Sequence, residues 1–357
     1  MSDSSAINLK TIDLTKDVDN QSVIELVSET IIPGPMAYSY DRSPSYHSFA
    51  MTQGLSYELY GAYLNKELLG ITQITFDHVY LNGTEMDIAY SGDTRIHPKS
   101  KGRKIADSLI AKACLIDKPV FGAVMSGNHI VLDKKLSDWK KVGVDFKIIG
   151  ELKVLLFRAK KRKIKYQIAS IKDIPEMYKL WKEIKVKENL SRAYKDEADF
   201  LNSYNTQGIS LARTVLLKDS ERLIGFVSVW NQDAIRKIQI KKIAPIFKFF
   251  TTILRLFIKI PKENENLPLQ YSFQHCFHPD ALKRPEMITQ IIKDASSLAF
   301  MDGALLFSIG LDVNDPLYGI LNKQALDQNK VKIICYDPLQ EVDKLAPGVY
   351  HFEVGVG

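Results

Sequence analysis

Apolar and polar positions alternate along the chain in short runs that switch between a period of two and a helical period. Asn8 to Leu14 alternates as a strand, and Ser22 to Thr30 puts Val23, Ile24, Leu26 and Val27 on the inner side of a helix. The stretch Pro33 to Tyr40 is dense in turn formers and aromatics and reads as a loop. Tyr57 to Leu64 and Leu68 to Tyr80 flank Asn65-Lys66-Glu67 as a hairpin, and the turn Asn82-Gly83 leads to a strand ending at Ile88 to Ile96. Ile105 to Ala113 is spaced as a helix, Pro119 to Met125 as a buried strand, Gly127-Asn128 to Gly143 as a helix, and Phe146 to Leu156 as a strand.

The pattern then begins again. Tyr166 to Asp173 opens a strand followed by a helix holding Met177, Leu180 and Trp181. Leu217 to Gly225 mirrors Leu64 to Gly70, and Phe277-His278-Pro279 mirrors Ile96-His97-Pro98. A repeat of about half the chain implies two copies of one fold, each with its own core. The charge run Arg158 to Lys163 reads as a solvated linker or strand edge, so the expected domains are 1–157 and 165–357. The fold class is α/β (α+β), and Val349 to Val356 is expected to complete the second sheet.

Composition changes this picture little. Hydrophobic content of 45% and charged content of 25% are ordinary for a soluble globular protein. The net charge of +6, with a pI near 8.9, suits an anionic cofactor and is too low to argue for nucleic acid. Cys114, Cys276 and Cys335 have no metal-type spacing, so no metal is expected, and reduced thiols fit a cytoplasmic location. The first residues lack the pattern of a signal peptide. From Ile235 to Lys262 there is no acidic residue, while basic residues alternate with Ile, Phe and Leu. This reads as a basic amphipathic helix packed on its own domain, with an anionic membrane or partner surface as the alternative.

The chemistry concentrates between His97 and Leu109. A strand, a short basic turn and a helix succeed one another in that order, so the free N–H groups of the first helical turn lie among Lys101, Arg103 and Lys104. That is an anion site suited to a pyrophosphate. The stretch resembles the acetyl-CoA pyrophosphate loop of the GNAT N-acetyltransferase superfamily. Lys101 stands for the usual Arg or Gln, Ala106 fills the last position, and Lys104 stands where the first glycine is usual.

The resemblance implies two tandem GNAT-like mixed-sheet domains with helices on both faces, and an acetyl-CoA-dependent transfer to a small-molecule or peptide amine. It implies a cofactor set of Thr94, Arg95, Ile96, Lys101, Gly102, Arg103, Lys104, Ile105, Ala106 and Asn128. The carbonyl-polarising N–H maps to Thr94–Ile96. Tyr90 occupies the position of the glutamate of histone-type members, and Asp93 is a near carboxylate, so these two are the candidate catalytic residues, with Asp87 and Glu85 behind them.

The usual acid, a tyrosine between Asn128 and Gly143, is absent, which leaves Ser126 and His129. Tyr38, Tyr40, Tyr46, His47 and Phe49 either line an acceptor pocket or pack their loop down. The second copy has Pro285 and Glu286 where phosphate would need N–H groups and positive charge, so it is expected to be degenerate for CoA. A non-catalytic GNAT-fold binding or regulatory protein, and an aminoacyl-tRNA-dependent transferase, are the competing readings.

Overall fold

A computed structural model describes residues 7–100, 103–246, 248, 260–338 and 348–351. The chain forms two compact units that do not follow its halves. The first comprises residues 1–75, 91–115 and 232–268, and the second comprises 76–90, 116–231 and 269–357. No helix among the described residues is long and apolar enough to cross a membrane.

In the first unit, β1 (Asn8–Thr11) pairs antiparallel with β3 (Ser56–Leu64). β3 adjoins β4 (Glu67–Leu81), which adjoins β5 (Thr84–Ile96). Asn65 and Lys66 at the β3–β4 turn both have positive φ, as a tight two-residue hairpin demands. Helix α1 (Asp17–Glu29) buries Val23, Ile24, Leu26 and Val27 against Leu59 and Ile71, and α2 (Tyr46–Ala50) adds Tyr46 and Ala50 to the same core. Helix α3 is Ile105–Ala113.

The segment expected to be a loop is a strand, β2 (Met36–Asp41). It pairs with β11 (Lys237–Ile243), which also pairs with β12 (Asn266–Leu267). The described start of the basic stretch is therefore a strand and not a helix. Its Ile238 and Ile240 face Tyr40 and Tyr38 across the ladder. Residues 247 and 249–259 of that stretch lie outside the described residues.

In the second unit the strand order is β4-β5-β6-β15-β7-β14-β13-β10-β9-β8. The strands are β6 (Val120–Met125), β7 (Lys147–Arg158), β8 (Gln167–Ile168), β9 (Thr214–Asp219), β10 (Arg222–Trp230), β13 (Leu269–Phe277), β14 (Leu306–Asp312) and β15 (Asp327–Tyr336). The helices are α4 (Leu136–Lys141), α5 (Ile174–Lys185), α6 (Glu197–Asn202), α7 (Pro279–Leu282), α8 (Pro285–Met301) and α9 (Pro316–Leu321). The succession β8-α5-β9-β10-β13-α8-β14-α9-β15 repeats β1-α1-β3-β4-β5-α3-β6-α4-β7, as the sequence repeat implies.

The last strand of each copy is exchanged. β7 pairs with β14 from Leu152↔Asp312 to Arg158↔Leu306, and β15 pairs with β6 from Val331↔Met125 to Tyr336↔Val120. β15 and β7 also pair with each other. The expected boundary at 158–164 therefore lies inside one contact unit. Its side chains are mostly exposed, yet its backbone is fixed: Arg162 N donates to Ser297 Oγ at 2.9 Å. Lys165 N and Tyr166 N both donate to the buried Asp294 carboxylate at 2.9 Å. A chain cut between Lys161 and Arg162 is expected to elute as one species from gel filtration under native conditions. Separation of the two fragments would contradict the exchanged ladders.

A buried polar group sits beside α5. Lys185 Nζ donates to Glu188 Oε2 at 2.5 Å and to His351 Nδ1 at 3.0 Å, and the His351 and His275 rings lie 4.8 Å apart. Burial first, and the Lys185 charge second, hold both imidazoles well below their ordinary range. In the unfolded chain they titrate near 6.5, so their contribution is full above that value and is lost as pH falls, at up to ~1.4 kcal/mol per unit each. Asp315, raised to about 7 by burial and then by Glu188, acts with opposite sign: its contribution is full below the ordinary carboxylate range and is lost as pH rises through about 7. Between pH 7.5 and 5.5, Asp315→Asn is expected to lose stability more steeply than wild type, and His275→Gln less steeply. Urea melts at the two pH values measure both slopes.

Candidate functional site

The turn that ends β5 is built the same way in both copies. His97 N donates to Leu69 O at 2.8 Å and His278 N to Ile224 O at 2.9 Å. Each imidazole Nδ1 then accepts a backbone N–H two residues on, from Lys99 and from Asp280, both at 3.1 Å. Gly70 and Gly225 make room for this. A Cβ on Gly70 would stand 2.7 Å from Ile105 and 3.0 Å from Ile96, and a Cβ on Gly225 would stand 2.5 Å from Phe277. The His-Pro pair is thus a turn device, and the glycine lets the incoming segment sit close on its strand.

Beyond the turn the copies diverge. In the first copy Arg103 and Lys104 are exposed, and Lys104 adopts the left-handed conformation, with φ 55° and ψ 22°, immediately before α3. The position where the resembling loop has glycine therefore has a glycine-like backbone. The first-turn N–H groups of α3, at Ile105 and Ala106, come directly after it; Ile105 itself is buried. Lys101 and Gly102 lie outside the described residues. In the second copy α8 begins at Pro285, Arg284 pairs with Asp219 at 2.8 Å, and Lys283 pairs with Asp280 at 2.8 Å. Carboxylates already occupy the cations there.

The other expected residues separate into groups. Thr94 Oγ1 meets Thr72 Oγ1 at 2.8 Å across the ladder, and Ile96 packs towards Gly70. Tyr90 and Asn128 belong to the second unit. Tyr90 packs on the apolar cluster that includes Phe121 and Ile88, and Asn128 Oδ1 accepts Val131 N at 3.3 Å as an exposed helix-start cap. Asp87 and Glu85 both bond His78, at 2.8 and 3.2 Å. His129 bonds the exposed Asp133 at 3.1 Å.

Asp93 sits in a buried polar cluster of the first unit. Its Oδ2 accepts from Arg42 Nη2 at 3.1 Å and lies 3.0 Å from the Tyr46 hydroxyl, while its Oδ1 accepts from Arg95 Nη2 at 2.6 Å. Tyr46 OH also reaches Gln73 Oε1 at 3.0 Å. Burial alone would raise the Asp93 pKa, but Arg95 and Arg42 outweigh it and hold the carboxyl far below its ordinary range. Burial, and then Asp93, push the Tyr46 hydroxyl well up. Asp93 also has φ 45°, a conformation that Asp tolerates better than most residues.

The sequence pattern does not bring Arg42, Tyr46, Gln73 and Arg236 together as a set; the fold does. Of the loop aromatics, Tyr46 and Phe49 pack down, with the Arg42 guanidinium 3.3 Å from the Phe49 ring centroid, whereas Tyr40 stays half-buried. The one sequence signal for Arg42 is its place two residues after Tyr40, in phase with the alternating Tyr38 and Tyr40.

No protein-family model and no curated protein matches the sequence. Solved structures do match its fold. N-myristoyltransferase of Saccharomyces cerevisiae with bound myristoyl-CoA superposes with a TM-score of 0.63 at 11% identity, over 93% of this chain and 83% of that one. A GCN5-related N-acetyltransferase from Sphaerobacter thermophilus gives 0.57 at 8% identity, over 97% and 98%. A conserved protein of unknown function from Enterococcus faecalis V583, described as a probable N-acyltransferase, gives 0.51 at 10% identity, over 96% and 75%. The chain has the tandem GNAT fold.

A lysine in the left-handed region carries a steric cost of roughly 1–2 kcal/mol, part of which glycine would lose again in backbone entropy. Lys104→Gly is expected to raise stability by about 0.5–1 kcal/mol in denaturant melts. A loss of stability would show that the lysine side chain makes a contact worth more than the strain.

Proposed function

We propose that the chain is an acyl-CoA-dependent N-acyltransferase with acetyl-CoA as donor and a small-molecule or peptide amine as acceptor, acting in the cytoplasm. The observation that carries this is the first copy's turn: a left-handed Lys104 opens α3 after the His97-Pro98 device, with exposed cationic side chains beside the N–H groups of the first helical turn. On this reading the pyrophosphate rests on the N–H groups of Ile105 and Ala106, with Arg103 and Lys104 beside it, and Lys101 and Gly102 belong to the same set by resemblance. The backbone of Thr94 to Ile96 is where the thioester oxygen is polarised, and Asn128 belongs to the same set by resemblance. The GNAT fold supports the assignment.

In the transfer, the neutral amine attacks the thioester carbon, the C–N bond forms as the C–S bond breaks, the thiolate leaves with a proton, and the amine gives up its own. Asp93 is a poor base for that last step, because two guanidiniums hold it in its ionised form. Its part is to position Arg42 and Arg95. Tyr90 packs on an apolar cluster and offers a structural role more readily than a catalytic one. Water is the acceptor of the amine's proton, and the rate rises with pH until the amine is neutral. The carboxylate so firmly ion-paired also favours the second reading, a GNAT-fold protein that binds CoA without turnover.

Calorimetry with CoA is expected to give one site per chain, weakened several-fold in Lys104→Ala and abolished in Ala106→Glu. Acetyl-CoA and longer acyl-CoA thioesters, tried with a panel of amines, then separate transfer from binding alone. A folded protein that binds no CoA ends the assignment. Two sites per chain would show that the second copy's turn also holds a phosphate.

A further inference from the structure

Three arginines converge on one tyrosine ring in the first unit. The guanidinium carbons of Arg42, Arg95 and Arg236 lie 4.8, 5.2 and 5.4 Å from the Tyr40 centroid. Arg42 is 1% exposed and Arg236 3%, while the Arg95 side chain retains 15%. Arg42 and Arg95 share a single carboxylate, that of Asp93, so this trio already carries one positive charge in excess, and Arg236 stands beside it. Arg42 Nε and Nη1 and Arg95 Nε meet no acceptor among the described residues.

Such an arrangement is costly as plain core. A buried cation without its own counter-charge costs more than stacking on an aromatic ring returns. The tyrosine face and the shared aspartate together leave one negative charge wanting. The cluster also has a definite address. Asp93 and Arg95 flank Thr94 on β5, the segment at which the acyltransferase reading puts the thioester carbonyl, and β2 and β11 bring in Arg42 and Arg236 by extending past their paired residues Asp41 and Lys237.

We propose that this cluster binds an oxyanion, a carboxylate or a phosphate, carried by the acceptor amine. The proposal rests on the acyltransferase reading and deepens it: the acceptor is an anionic amine. Arg95 is the guanidinium the ligand meets first, and Arg42 and Arg236 supply field behind it. Asp93 keeps the two paired guanidiniums oriented, so that the ligand binds without ordering them.

The test uses the whole chain and measures thermal unfolding at constant ionic strength, with sodium phosphate or sodium acetate replacing sodium chloride. Wild type and Lys104→Ala are expected to gain several degrees from the oxyanion, and Arg95→Gln to gain less than half as much. The larger of the phosphate and acetate effects identifies the group. Arg95→Lys keeps the charge but loses the planar fork, and is also expected to lose more than half the gain, which serves if the Gln variant does not fold.

The proposal falls if wild type shows no oxyanion effect beyond chloride, or if Arg95→Gln responds as wild type does. It also falls if the effect disappears in Lys104→Ala, or if saturating CoA displaces the anion, because either result places it in the cofactor turn. CoA affinity measured on the same samples reports on the acyltransferase reading separately: CoA binding without an oxyanion effect removes the anionic acceptor alone, and an oxyanion effect without CoA binding removes the cofactor assignment and leaves an anion site.

Discussion

A strand at the end of a fold is stable only where its N–H and C=O groups find partners, and here β7 and β15 find them across the repeat. β7 closes on β14, and β15 closes on β6, so neither copy's ladder is complete without the other's last strand. This exchange holds β6 and β7 in one contact unit with the second copy, and the pairing of β2 with β11 holds residues 232–268 in the other. The run of six residues rich in Lys and Arg, an ordinary mark of a loose linker, has its backbone bonded to Ser297 of α8 through Arg162, and Asp294 of α8 holds Lys165 and Tyr166 just after it. Charge on side chains says where they point; it does not say whether the backbone between them is tethered.

Much of the fold was legible because local patterns agreed with tertiary demands. The inner faces of α1 and α5, the hairpin at Asn65-Lys66 and the paired His-Pro turns all stand where the pattern puts them. The repeat of Gly70 and Gly225 was visible as well, though its reason was not: each glycine leaves room for the side chain of the element that docks on it. What stayed hidden depended on distant pairing. β2 comes after Pro33-Gly34-Pro35 and looked like more loop, and β11 mixed Lys with Ile at spacings that fit a helix as well as a strand. Each became a strand by pairing with the other across about two hundred residues, which no window of sequence contains.

The site was legible in a different proportion. A turn with cations and a helix start is a local object, so the basic turn before α3 could be proposed from the sequence, whereas the left-handed backbone at Lys104 could not. Asp93 stood out as a carboxylate on the right strand, and its position is where the sequence placed it. Its chemistry is set by Arg42, fifty-one residues away, and by Arg95. Sequence proximity offers a carboxylate as a base; the guanidiniums beside it hold it ionised and lower its affinity for a proton.

The two copies then differ for a reason that can be stated in charge. Both have the His-Pro turn, the spacing glycine and a helix after it, so the same backbone arrangement is present twice. In the first copy the cations beside it, Arg103 and Lys104, are exposed at the turn itself. In the second, Asp219 takes Arg284, Asp280 takes Lys283 and Arg222, and Pro285 removes an N–H from the helix start. A phosphate arriving there would have to displace carboxylates from every cation it needs, and would gain one donor fewer. On the proposed cofactor reading, the two copies therefore differ less in the His-Pro turn, which is duplicated, than in whether the chain has already committed its positive charges to its own acids.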